Sequence, residues 1–128
     1  MLKYGLFAVL IVITAAVSGA QAQSKKGPNG GIVVTTEGHP IEFLLKGQEL
    51  VFYLGDDDGS PLQTKGMTGR ATIQDGAKTA TVTLQPAAPN MMTGKVPAPL
   101  GAKARVVFSG TFREGSHTHT LTARYVTE

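Results

Sequence analysis

The chain contains no cysteine and no tryptophan. That excludes a disulfide scaffold, a thiolate metal site, a cysteine nucleophile and a lipid-anchored cysteine at a cleavage point. Charge is sparse as well, with 16% Asp, Glu, Lys and Arg and a formal balance of +3. So small a surplus, with neither a basic stripe nor a ladder of stacking aromatics, gives no basis for nucleic-acid binding. Enzyme signatures are missing too. There is no Gly-x-Ser-x-Gly elbow, no phosphate-cradling glycine loop and no His-Glu-x-x-His. The few carboxylates read as turn or strand-end residues, with no sign of the apolar pocket that would tune a general acid. The chain therefore reads as a non-enzyme. What is abundant is punctuation: 16 glycines and 7 prolines along 128 residues.

Long apolar runs are absent except near the amino terminus. Lys3 gives a positive start, residues 5–17 are apolar, and Ser18-Gly19-Ala20-Gln21-Ala22 ends in a small-x-small pattern. This is the three-part layout of a secretory signal, with the cut expected before Gln23. A membrane-spanning helix wants ~20 apolar residues, and this run falls short of that. No twin-arginine pair is present, so export is expected unfolded, with folding outside the cytoplasm and no membrane attachment after cleavage. Loss of residues 1–22 leaves 106 of the 128 and takes Lys3 with it, lowering the charge from +3 to +2. A domain of that size buries roughly 65% of its unfolded surface, enough for one modest core.

Residues 23–31 are rich in glycine, lysine and proline and read as a flexible leader. The remainder, 32–128, reads as a single domain of short strands with period-2 alternation. Segment 31–35 is the first strand. Segment 40–46 follows, with Ile41, Phe43 and Leu45 on one face. Segment 49–54 returns with Leu50, Phe52 and Leu54 inward, making the clearest hairpin. Further strands are expected over 69–74, with Ala71 and Ile73 inward, and over 78–85, where threonines alternate with Ala80, Val82 and Leu84. Segment 91–96 reads as a short edge strand between proline breaks, and 102–111 with 116–126 as the last hairpin. No stretch has helical periodicity over the length a helix needs. The pattern predicts an all-β fold, an antiparallel β-sandwich of seven to eight short strands and immunoglobulin-like size, with a small open β-barrel as the alternative.

Three histidines, four methionines and an aspartate triplet carry what chemistry the sequence offers. In a strand, residues two apart point the same way with Cβ atoms roughly 6–7 Å apart. His117 and His119, in Ser116-His117-Thr118-His119-Thr120, therefore offer two imidazoles to one copper or zinc ion. They share a face with Leu121, Ala123 and Tyr125. The plainer reading is a pair of exposed histidines beside a hairpin turn. His39 lies on the face of Ile41 and Phe43 at the start of its strand. It supplies a third nitrogen if the second and last strands open at the same end. Otherwise it is part of a turn before Pro40. Asp56-Asp57-Asp58-Gly59 lacks the alternate acidic positions and the distal glutamate of a calcium loop, so a solvated turn is expected. Met91 and Met92 are adjacent, point to opposite faces and cannot chelate as a pair, so packing is the expected role.

Several segments taken together carry a resemblance. They are Gly27-Pro28-Asn29-Gly30-Gly31, Glu37-Gly38-His39-Pro40, Thr64-Lys65-Gly66-Met67-Thr68-Gly69-Arg70, Leu84-Gln85-Pro86-Ala87 and His117-Thr118-His119-Thr120. In this order they resemble a group of small, mostly uncharacterised exported bacterial proteins. Their opening segment is similar to one in periplasmic domains tied to heavy-metal, notably copper, efflux. The resemblance implies a periplasmic β-sandwich that binds copper or zinc, with His39, His117 and His119 at its histidine-bearing places. This chain departs from the pattern at Lys25 and Lys26, where histidine often precedes the Gly-Pro, and at Asn29, which replaces a second histidine. The two ammonium groups are expected to repel a cation.

The expected function is thus a periplasmic accessory protein that handles a transition metal through His117, His119 and His39. Affinity should fall as pH drops through ~6.5, where imidazole protonates. The alternative is a metal-free module that docks a periplasmic protein partner by a sheet face or by an open edge such as 91–96, or serves as a structural element.

Overall fold

The computed structural model describes residues 25–128, and the segment expected to be an export signal lies outside the described residues. Nine strands follow one another: β1 (Lys25–Lys26), β2 (Ile32–Thr36), β3 (His39–Lys46), β4 (Glu49–Leu54), β5 (Thr68–Asp75), β6 (Lys78–Ala87), β7 (Met91–Lys95), β8 (Arg105–Glu114) and β9 (His117–Val126). Among the described residues there is no helix. The inward positions are those the alternation predicts. Ile41 and Phe43, Leu50 with Phe52 and Leu54, Ala71 and Ile73, and Val82 and Leu84 are all buried. Each strand turns every second side chain toward one core, as the pleat requires.

All strands belong to one antiparallel sheet, in the order β1-β2-β3-β4-β7-β6-β5-β8-β9. The sheet doubles back on itself at β6, which pairs with β5 as far as Leu84 and with β7 from Gln85 to Ala87. The β2, β3, β4 and β7 half then faces the β5, β8 and β9 half. Phe52 of β4 meets Phe108 of β8 with ring centroids 4.8 Å apart, and Phe43 meets Tyr125 at 5.2 Å. Such aromatic pairs add about 0.5–1.5 kcal/mol each beyond the area they bury. The edge strand β9 comes alongside β2, the neighbour of the short edge strand β1, without a ladder between them, so the fold stays open rather than closing into a barrel.

Three differences from the sequence reading matter for function. Nine strands stand where seven or eight are expected, because Lys25 and Lys26 pair with Val33 and Ile32 at the edge of the sheet. Segment 91–96 is no edge. As β7 it lies in the middle, paired with β4 on one side and β6 on the other, so no partner can add a strand there. The proline signals mislead at this point, since Pro86 lies within β6 opposite Met92 and β6 runs on past it. Gly94 suits the crowded middle position, because a Cβ there would come 2.8 Å from the Val82 side chain and 2.9 Å from that of Leu84. Glu42, a polar residue in an apolar strand, is almost fully buried.

Tyr125 joins the two halves at their closest approach. Its hydroxyl donates to the Ile41 carbonyl at 2.6 Å in a buried site. Burial, reinforced by the nearby Glu42 carboxylate, pushes the phenol far above the ordinary tyrosine range. The folded state thus favours neutral phenol, and its contribution is complete below ~10, the unfolded value, and is lost progressively as pH rises above it. The melting temperature should therefore fall more steeply between about pH 9 and pH 11 in the native chain than in Tyr125→Phe, which has no phenol to ionise. At neutral pH Tyr125→Phe should itself cost about 0.5–1.5 kcal/mol for the lost hydrogen bond. Parallel alkaline slopes for the two proteins would contradict the assignment.

Candidate functional site

The β8–β9 hairpin outruns the layer opposite it. Leu121, Ala123 and Tyr125 face the core and are buried, whereas His117 and His119, on the same side of β9, are exposed. The turn at Gly115 sets the register that places Glu114 opposite His117, Arg113 opposite Thr118 and Phe112 opposite His119. Opposed residues share a face. The inward side of the hairpin tip therefore carries Phe112, Glu114, His117 and His119 together, while Arg113 and Thr118 point the other way.

Phe112 organises this end. The His119 ring stacks on it with centroids 5.3 Å apart and planes 25° apart. His39, arriving from β3 in the other half, meets it edge-on at 6.0 Å and 77°. The starts of β3 and β9 thus lie at the same end, and all three histidines of the sequence gather there. They do not converge on one point, because Phe112 stands between His39 and His119. Among the described residues, the one group of three candidate ligands whose atoms lie within 4.8 Å of one another is Asp56, Asp57 and Asp58.

Each imidazole has a defined neighbour. His39 Nδ1 lies 3.0 Å from the Gly55 carbonyl oxygen. A carbonyl only accepts, so Nδ1 carries the proton and Nε2 keeps its lone pair. Ligating histidines are commonly held this way, with one ring nitrogen donating to a carbonyl and the other facing the metal. His119 Nε2 lies 3.7 Å from Glu114 Oε2. The His117 and His119 centroids are 6.5 Å apart. Nitrogens at 2.0–2.1 Å from one tetrahedral ion require centroids about 5 Å apart, so the two exposed rings must turn toward each other by roughly 1–2 Å. With Glu114 beside them the donors are two nitrogens and a carboxylate oxygen, a set that suits zinc or copper(II). Glu114 is absent from the sequence reading, which assigns 112–115 to the connection between the last two strands. A two-residue shift of that turn is what brings it opposite His117.

The aspartate triplet behaves as the turn expected of it. The amide of Asp57 bonds Asp56 Oδ1 at 2.9 Å, and Asp58 Oδ1 accepts from both the amide and the hydroxyl of Ser60. Those bonds from Ser60 hold the Asp58 carboxyl below the usual aspartate range. The Asp58 carboxylate is thus committed to its own loop, whereas Asp56 Oδ1 also lies 3.9 Å from His39 Nδ1.

The Gly27-Pro28-Asn29-Gly30-Gly31 segment has a different role from a metal site. It folds over β3 and binds the Glu42 carboxylate. Asn29 Nδ2 donates to Oε1, while the amides of Asn29 and Gly31 donate to Oε2, all at 2.8–2.9 Å. The approach is so close that a Cβ on Gly27 would fall within 2.6 Å of the Glu42 carboxylate. This segment adjoins Ile32, whereas His39 pairs with Thr36 at the other end of β2. Four residues of strand separate them by about 13 Å. Lys25 and Lys26, paired with Val33 and Ile32, are thus remote from the imidazoles and do not repel a cation there. The expectation that they would is corrected by their position.

The tautomer of His39 is directly measurable. Long-range proton–nitrogen NMR correlation above about pH 8, where imidazole is neutral, should find Nδ1 protonated and Nε2 bare. The reverse pattern would remove His39 from the candidate ligands. Compared with family models, curated proteins and solved structures, the chain matches none of them.

Proposed function

We propose that this chain is an exported, non-catalytic periplasmic protein that handles a transition-metal ion, copper or zinc, at the hairpin end. His117 and His119 are the ligand pair and Glu114 is the adjacent carboxylate, while His39, the third candidate nitrogen, lies on the other side of Phe112 and would join them only on displacement of that ring. The observation that carries this reading is that all three histidines, drawn from opposite ends of the sequence, collect around Phe112 at one end of the fold. The signal-like amino terminus and the resemblance to exported proteins of metal efflux support the compartment. An exposed two-nitrogen set with a weak oxygen partner leaves coordination positions open, which suits transfer of an ion more than its permanent storage.

Ligation needs neutral imidazoles, so affinity is present above ~6.5 and declines as pH falls below it. Calorimetric titration with copper(II), then zinc, should show saturable micromolar binding of one equivalent at about pH 7.5, lost at about pH 5.5. His117→Ala with His119→Ala should abolish it without lowering the melting temperature appreciably, since both side chains are exposed. Absence of heat with both metals, or unchanged affinity in the double variant, would retire the reading.

A further inference from the structure

The outer surface of the β6-β5-β8-β9 half has a composition unlike the rest of the chain. The sequence contains four arginines, Arg70, Arg105, Arg113 and Arg124, and all four are exposed on this one face. They come from three different strands and are aligned only by register. Hydroxyls fill the spaces between them. Thr79, Thr81 and Thr83 run along β6, and Thr118, Thr120 and Thr122 along β9. In cross-strand order, one row reads Thr83, Arg70, Ser109, Thr122, and the next Thr81, Thr72, Val107, Arg124. Neighbours within a row are about 4.8 Å apart and successive rows about 7 Å apart.

Among the residues of β5, β6, β8 and β9, no carboxylate shares this face, although Glu37, from the turn between β2 and β3, lines a hollow together with Arg105 and Arg124. The acidic residues of these strands, Asp75 and Glu114, lie on the inward side, two positions from Ile73 and Phe112. The ion pairs among the described residues both involve histidine, so none of the four guanidiniums has an acidic partner. The face is also concave in places. A shallow hollow of about 430 Å³ is lined by Thr68, Arg70, Thr83, Ser109, Thr111 and Thr120, and a larger one, at the open seam between β2 and β9, brings Arg105 and Arg124 beside Glu37.

The geometry points to this face as a docking surface for an acidic polysaccharide, its guanidiniums holding the sugar's acidic groups and its threonine and serine hydroxyls meeting the sugar hydroxyls. Charge complementarity selects the anion, because four guanidiniums share the face with no carboxylate of their own strands and with Glu37 alone at the larger hollow. Guanidinium is the group whose planar fork fits a carboxylate with two parallel hydrogen bonds, which an ammonium does not. The hydroxyl lattice selects the sugar. A bilayer is disfavoured because Val126, 52% exposed, is the one large exposed hydrophobic among the described residues, leaving nothing to insert below the headgroups. Single-stranded nucleic acid is disfavoured because the face carries no aromatic ring on which a base would stack.

The test uses polygalacturonate as the acidic polymer, with neutral dextran, phosphatidylglycerol vesicles and an oligothymidylate as comparisons. The protein should bind polygalacturonate at low salt in preference to the other three. Arg70→Gln with Arg124→Gln should weaken it about tenfold, corresponding to about 1.4 kcal/mol. Lys46→Gln with Lys95→Gln, which removes the same charge from the other half, should leave it within about twofold. Arg70→Lys with Arg124→Lys should still lose several-fold, because charge is kept and the fork is not. Equal loss in the glutamine variants of arginine and lysine would reduce the effect to net charge and overturn the proposal. So would tighter binding to vesicles or oligothymidylate, full retention in the lysine replacements of the arginines, or no binding to polygalacturonate. Melting curves of each variant separate lost binding from lost fold.

Discussion

The β8–β9 ladder, ten residue pairs from Arg105↔Val126 to Glu114↔His117, decides which chemistry faces which way. Side chains alternate strictly along a strand, so a slip of one residue would exchange the two faces entirely. In the observed register, Val106, Phe108, Leu121, Ala123 and Tyr125 are buried, and beyond the core the same side continues as Phe112, Glu114, His117 and His119. The opposite side carries Arg105, Arg113, Arg124 and the threonines. The imidazole end and the arginine face are thus two readouts of one pairing. A one-residue slip of β8 against β9 would turn one strand over and put either Phe108 or Tyr125 in water, and burial of either is worth about 1.5–3 kcal/mol. The core therefore specifies the register, and the register places both candidate surfaces.

The rest of the fold holds that hairpin in place. Tyr125 ties β9 to β3 through the Ile41 carbonyl, and Phe43, Phe52, Phe108 and Tyr125 form one aromatic cluster across the two halves. On the far side of β3, Glu42 is buried among three N–H donors from the 27–31 segment. A carboxylate buried without a cation is tolerable only when hydrogen bonds replace its water. Asn29 and Gly31 supply that replacement, so residues 27–31 act as a structural clamp on β3.

Much of this was legible in the sequence, and the rest has definable causes. The strands and their inward residues follow from alternation, and so does the shared face of His117 and His119. The meeting of His39 with the last strand was conditional on strand order, which is long-range information. The central place of β7 was hidden for the same reason, aggravated by prolines that read as breaks. Phe112 and Glu114 escape a reading of the sequence because Phe112 to Gly115 looks like the connection itself, whereas the chain turns two residues later, around Gly115. The arginines are 35, 8 and 11 residues apart in sequence. No local window shows a basic stripe, and only antiparallel register brings them onto one face.

Both surfaces depend on the β8–β9 register, which interstrand nuclear Overhauser contacts report. Ring-to-ring contacts of Phe112 with His119 and with His39 are expected, and backbone contacts pairing Phe108 with Ala123. Pairing of His119 with Thr111 or Arg113 instead would contradict it, because either slip would separate the histidines from Phe112 and move the arginines off their common face.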